Sequence, residues 1–219
     1  MLAKVFKENL KSMLSGILLG LLVFIFFILS SCSHADFSND NPKLLNGKRC
    51  VLIIAPENFR DEELTVTKDV LIENGAYVDV ASVKKGVVKG MLGYSIQVDK
   101  TVSELSVDDF DCVVIVGGSG APVLLKHDEV LDFVKRSNEL NKTIGAICLG
   151  PMVLAKAGVL ESKDATVFKS KESLDVFKEN NVNFVDKPLV EIGNIITANG
   201  PDYAADFAYA LVRLLSENN

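Results

Sequence analysis

Apolar residues fall into two kinds of pattern along this chain. Residues 50–55 (CVLIIA) and 112–118 (CVVIVGG) form unbroken apolar runs, as strands buried on both faces do. Between them the spacing turns helical: Leu64, Val66, Val70 and Leu71 make an imperfect stripe in EELTVTKDVLIENGA, and Gly75 supplies a stop. The segment YVDVASV alternates like a strand, and DEVLDFVKRSNELN is an amphipathic helix with Val130, Leu131, Phe133 and Val134 facing inward. TIGAI reads as a short strand ending at Cys148, after which Pro151 opens a helix reaching Ala157. A helix over 173–180, short strands in NFV and NIITA, and a closing helix over 202–215 complete the reading. Alternating strands and helices predict an α/β fold, a doubly wound, mostly parallel sheet flanked by helices. No internal repeat or low-complexity segment interrupts residues 48–217, a length that buries a core without staples.

The start of the chain has a different pattern. Lys4, Lys7 and Lys11 precede an uncharged apolar stretch whose core is GILLGLLVFIFFILSSC, so residues 1–31 read as a signal peptide or a membrane anchor. Leu29-Ser30-Ser31-Cys32 looks like the lipobox of bacterial lipoprotein precursors, in which Cys32 becomes the lipidated first residue; an uncleaved anchor is the alternative. Either way the lysines stay inside, and the remainder is expected to face outside the cytoplasm, anchored to the membrane. Residues 32–47, polar and aperiodic with Pro42, read as a tether. The positive mean hydropathy therefore reflects the leader.

Charge and cysteine usage narrow the chemistry. A formal net charge of −6 with no Lys/Arg cluster beyond Lys84-Lys85 argues against a nucleic-acid partner. The chain's 4 cysteines and 2 histidines have no metal-ligand spacing, and GGSGAP lacks the lysine of a phosphate-binding loop, so no metal or cofactor is expected.

In sheets of this kind sites lie at the carboxyl ends of strands. Three strand ends carry unusual residues: APENFRDEE, GGSGAP and CLGP. If the strands are neighbours, the loops converge at Cys148. A cysteine at a tight strand-to-helix turn gains a helix N-terminus that favours thiolate and backbone N–H groups aimed at an oxyanion. Taken alone, a cysteine in apolar company is also a common core filler.

The surrounding segments decide between these. NFRDEEL, GMLGYSIQVD, DCVVIVGG, AICLGPMVLAKAGVL and NGPDYAADFAYALV, in this order, resemble the PfpI family, in the superfamily of class I glutamine-amidotransferase-like domains that includes the Parkinson-disease-associated protein deglycase. The resemblance covers residues 49–215 and implies a flavodoxin-like sandwich with a cysteine nucleophile elbow. It implies that Cys148 is the nucleophilic or redox-active thiol and that Glu63, as the protonated acid, hydrogen-bonds its sulfur and serves as general acid/base. Gly118 and Leu149 would offer backbone N–H groups as an oxyanion hole. Gly117, Gly150, Pro151, Gly200 and Pro201 would shape the site. The implied substrate is a small-molecule electrophile, such as a 2-oxoaldehyde, or its protein adduct. Self-association into a homo-oligomer is implied as well.

The departures matter. Relatives called proteases or glyoxalase-like enzymes commonly have histidine directly after the cysteine, where this chain has Leu149. Of the histidines, His34 lies in the tether and His127, before the DEVLDFV helix, is expected on the surface, so a cysteine-protease mechanism is disfavoured. Where relatives have Tyr-Pro or His-Pro, this chain has Phe168-Lys169. A Cys-Glu pair remains adequate for thiol addition to aldehydes or for reversible oxidation. A redox-sensing or chaperone-like envelope protein is the alternative function. Because relatives have the two strands as neighbours, Cys50 and Cys112 are expected side by side; a disulfide between them stays open, since parallel neighbours point their Cβ atoms alike and strain the bridge.

Overall fold

A computed structural model describes residues 43–217. The leader, the lipidation residue Cys32 and the tether before Lys43 lie outside the described residues. Strand β1 (Arg49–Ile53) leads into helix α1 (Asp61–Glu73) and strand β2 (Tyr77–Ser82). A hairpin of β3 (Gly86–Lys89) and β4 (Ser95–Val98) follows, then β5 (Lys100–Thr101), β6 (Cys112–Ile115), α2 (Asp128–Glu139) and β7 (Thr143–Ile147). Helix α3 (Pro151–Lys156), β8 (Asp164–Ala165), α4 (Lys171–Glu179), β9 (Asn183–Phe184), β10 (Leu189–Ile192), β11 (Ile195–Ala198) and α5 (Ala204–Glu217) complete the chain.

The main sheet has the order β10-β11-β7-β6-β1-β2-β5, parallel except where β10 runs against β11. Its unbroken apolar strands are buried on both faces, and successive residues feed different cores. Val51, Ile53, Val113 and Ile115 pack with Val130, Phe133 and Met152 on one face. Cys50, Leu52, Cys112 and Val114 pack with Leu64, Leu71, Phe207 and Leu211 on the other. Burial of each such side chain contributes roughly 1.5–3 kcal/mol, so the central strands hold the sheet together.

The expected doubly wound parallel sheet is present, and β7, β6 and β1 are neighbours, so the three loops do leave one edge of the sheet. The differences from the pattern reading fall on short elements. The hairpin β3–β4, the pair β8–β9 and edge strand β10 have 2 to 4 residues per strand, too few to show a period. NFV contributes only β9, which lies outside the main sheet. The closing helix begins at Ala204 because residues 201–203 form a 3-10 turn after Gly200. Leu45, in the segment read as tether, is fully buried in the second core, and its amide bonds Asn74 O at 2.9 Å; packing thus begins before Lys48. Among the described residues no helix is long and apolar enough to cross a membrane.

Candidate active site

Cys148 follows directly on β7 and adopts φ 59°, the left-handed region that a non-glycine residue occupies only under constraint. The constraint is visible. Its N–H donates to Ala198 O at 2.9 Å, and its carbonyl accepts from Phe168 N–H at 2.8 Å. Gly150 N–H closes the turn onto Ile147 O at 2.8 Å, and Pro151 occupies the first turn of α3. A Cβ on Gly150 would come within 2.4 Å of Ile115 O, so the turn lies tight against β6. The resulting thiol is 8 % exposed and packs in the second core. Cys148 is therefore both a buried core residue and an elbow residue.

Glu63 sits in the first turn of α1, where Asp61, Glu62 and Glu63 succeed one another without a side-chain cap. Acidic residues suit a helix N-terminus in solvent, yet Glu63 turns inward and is 0 % exposed. Its Oε2 accepts from Gly117 N–H at 2.9 Å. Its Oε1 makes no hydrogen bond of good geometry; the Cys148 thiol is the side chain that most lowers the carboxyl's proton affinity. Burial raises the Glu63 carboxyl to about 7, partly opposed by the hydrogen bonds from Cys148 and Gly117.

The thiol is pushed up to about 12, first by burial and then by the negative charge of Glu63, while the N–H groups of Gly118 and Leu149 pull it back down. The expectation that the elbow by itself favours thiolate is corrected here. Helix α3 has only 6 residues, and desolvation outweighs what its N-terminus and the two amides supply. The second cause vanishes whenever Glu63 holds its proton.

The glycines that follow β6 let the three loops close. A Cβ on Gly117 would lie 2.6 Å from Cys148 Cβ and 2.7 Å from Glu63 Oε2. Gly118 has φ +99°, and a Cβ there would meet Arg60 N at 2.4 Å. Gly117, Gly118, Leu149, Gly150 and Pro151 thus surround the Cys148–Glu63 pair. Gly200 and Pro201 line a cleft of about 230 Å³ with Phe168 and Tyr203, and neither Cys148 nor Glu63 is among its walls.

Asp61 escaped the sequence reading. Though it looks like another first-turn acid, it is buried and accepts from Leu92 N–H at 2.9 Å and Tyr94 N–H at 2.6 Å. It clasps the β3–β4 tip onto the site, where Met91 Sδ accepts from Ser119 N–H at 3.2 Å. The only available signal was its position within NFRDEEL. His127 lies at the start of α2, half-buried, with its imidazole on Glu129 Oε1 at 3.0 Å. Among the described residues no group of His, Cys, Asp and Glu is arranged to hold a metal ion.

Similarity to known proteins agrees with this geometry. An uncharacterized protein of Methanocaldococcus jannaschii is 39% identical over 201 residues, 90% of this chain and 98% of that one. The deglycase PfpI of Pyrococcus furiosus is 30% identical over 165 residues, 75% of this chain and 98% of that one. The crystal structure of a ThiJ/PfpI domain protein from Brachyspira murdochii superposes with a TM-score of 0.74 at 31% identity, covering 78% of this chain and 99% of that one. A model of the DJ-1/PfpI family matches residues 48–214. With the sheet order, the strained cysteine and its buried glutamate, that match makes the chain a member of the DJ-1/PfpI family.

Proposed function

We propose that Cys148 and Glu63 form the reactive pair of a deglycase- or glyoxalase-type protein acting on small aldehydes or on their protein adducts. The observation that carries this reading is the buried Glu63 carboxyl against the Cys148 thiol, raised to about 7 and so half protonated near neutrality. In that form its O–H donates to sulfur, and the Gly118 and Leu149 amides support the same charge.

The chemistry balances without an external oxidant. The ionised Glu63 carboxylate takes the Cys148 thiol proton as sulfur adds to the aldehyde carbon; a C–S bond forms, and the carbonyl π electrons move to oxygen. The alkoxide takes the Glu63 proton, giving a hemithioacetal. For a 2-oxoaldehyde, the Glu63 carboxylate then takes the C–H proton of the former aldehyde carbon and returns it to the adjacent carbon through an enediol, the hydroxyl proton passing to the neighbouring oxygen. The product is a thioester of a 2-hydroxy acid. Water cleaves it, releasing the acid and restoring the thiol. In an early hemiaminal adduct the C–N bond breaks instead: the amine leaves with the Glu63 proton, the hydroxyl proton returns to the carboxylate, and the freed aldehyde enters the same sequence.

In this reading the N-terminal segment holds the domain at a membrane, outside the cytoplasm, and the domain self-associates. The exposed Val87 and Leu92 of the β3–β4 hairpin favour self-association. A second reading, a redox-reporting Cys148, is favoured by Leu149 standing where a histidine base would sit. The test is turnover of 2-oxoaldehydes and glycated peptides by the full chain beside Cys148→Ser and Glu63→Gln. Loss of turnover in both supports the enzyme. No turnover by the parent, with peroxide adding oxygen to Cys148, supports the redox reading instead.

A further inference from the structure

The cleft beside the elbow is walled by residues 167–169 and 199–203 together with Asp186. Both segments are tied to the Cys148 peptide. Phe168 N–H donates to Cys148 O at 2.8 Å, and Cys148 N–H donates at 2.9 Å to Ala198 O, the residue just before the second wall. Phe168, a wall residue, therefore stands next to the Cys148 backbone, and an occupant of the cleft lies near the elbow although neither Cys148 nor Glu63 lines it.

Its size and lining limit the occupant. The volume, about 230 Å³, falls below the roughly 300–1,000 Å³ of sites for drug-sized ligands, and suits one ring or a branched chain. Phe168 is 48 % exposed, an aromatic face left open at the cleft. A side chain on Gly200 would meet nothing closer than Phe168 Cδ2 at 3.9 Å, so crowding does not require glycine there; its effect is to leave the Phe168 ring uncovered. Pro201 and Tyr203 add further apolar surface. The charges do not favour an anion: Lys169 Nζ is held by Asp186 at 2.7 Å, and Asp202 adds a second acid to the lining.

We infer that this cleft is a specificity subsite for the substituent of the carbonyl compound attacked by Cys148, selecting 2-oxoaldehydes with an aromatic or branched apolar group over methylglyoxal. The inference rests on Cys148 being the reacting thiol, as proposed above. Phe168 is its main determinant, through ring stacking and apolar contact.

Alkylation tests the subsite without requiring turnover. The full chain is treated with phenacyl bromide or bromoacetone, and the rate at Cys148 is followed by peptide mass analysis. In each case sulfur forms a bond to carbon as bromide leaves, and the thiol proton passes to buffer. The ratio of the two rates, divided by the same ratio for N-acetylcysteine, is expected to be about tenfold. Phe168→Tyr should keep that preference, and Phe168→Ala should bring it to the free-thiol value. A parent ratio equal to that of the free thiol, or a preference that survives Phe168→Ala, overturns the subsite. If the preference holds while no aldehyde is turned over, the subsite stands and the catalytic reading falls.

Discussion

Glu63 and Gly117, separated by 54 positions in sequence, are joined by a 2.9 Å hydrogen bond from the glycine amide to the carboxyl. The same glycine leaves no room for a Cβ, which would sit 2.6 Å from both Cys148 Cβ and Ile147 O. Gly117→Ala should therefore push Glu63 and Cys148 apart. We expect a loss of stability of about 1–3 kcal/mol, as for overpacked cores, and a loss of Cys148-dependent activity larger than the stability loss explains. Denaturant unfolding and aldehyde turnover on one preparation check this; a variant as stable and as active as the parent contradicts it.

The pH dependence of stability follows from Glu63. Its carboxyl rises from 4.5 to about 7 on folding, chiefly through burial. Below 4.5 both folded and unfolded chains hold the proton, and no penalty exists. Between 4.5 and 7 the unfolded chain releases it while the folded chain keeps it, so stability falls as pH rises and then levels off. The full effect is on the order of 3 kcal/mol. Glu63→Gln lacks this titration, so its stability relative to the parent should improve from pH 4.5 to pH 8. A difference between the two proteins that does not change with pH would show that Glu63 is not shifted.

Thiol reactivity should carry the opposite face of the same coupling. The ionised carboxylate raises Cys148, so the thiolate is favoured while Glu63 is protonated. The iodoacetamide rate at Cys148, divided by that of a free thiol, is expected to decline as pH rises through 7. Glu63→Gln should flatten the decline. Equal slopes in parent and variant would remove Glu63 as the group that controls the sulfur.

Cys50 and Cys112 are register partners on β1 and β6, both fully buried and both free. The side-by-side placement expected for them is what the structure has. Hydrogen bonding with Cys50 and burial push the Cys112 thiol well up, which keeps it protonated and slow to oxidise. Non-reducing alkylation should leave both untouched in the folded chain and label both after unfolding. A peptide linking Cys50 to Cys112 in protein from its native compartment would show that the bridge forms despite the parallel geometry.

The membrane reading rests on the first 31 residues and is tested there. Removing them should move the protein from the membrane fraction to the soluble one. In the full chain, Cys32→Ala should block processing and raise the apparent mass if Cys32 is lipidated, and leave the mass unchanged if the segment is an uncleaved anchor. Recovery of the intact chain in the soluble fraction would exclude both.

Local pattern determined a good deal of this protein. Unbroken apolar runs such as CVLIIA bury both faces only in a covered parallel sheet, and β1, β6 and β7 are such strands. The junction before Gly150-Pro151 was legible too, because proline and glycine act on the backbone where they stand, and the resemblance marked Glu63 as the partner of Cys148. What no local pattern holds is the state of that pair. The depth of burial, the amides of Gly118 and Leu149, and the charge of one side chain on the other set the proton affinities, and each depends on packing between distant segments. Asp61 makes the same point: in sequence it matches its neighbour Glu62, and only tertiary structure turns one toward the β3–β4 tip and leaves the other half-exposed. The open face of Phe168 was likewise invisible as a cleft, since its walls come from strands and turns that meet only at the Cys148 peptide. Periodicity reports which face of an element is apolar; desolvation and cross-loop hydrogen bonds arise only once those faces have been brought together.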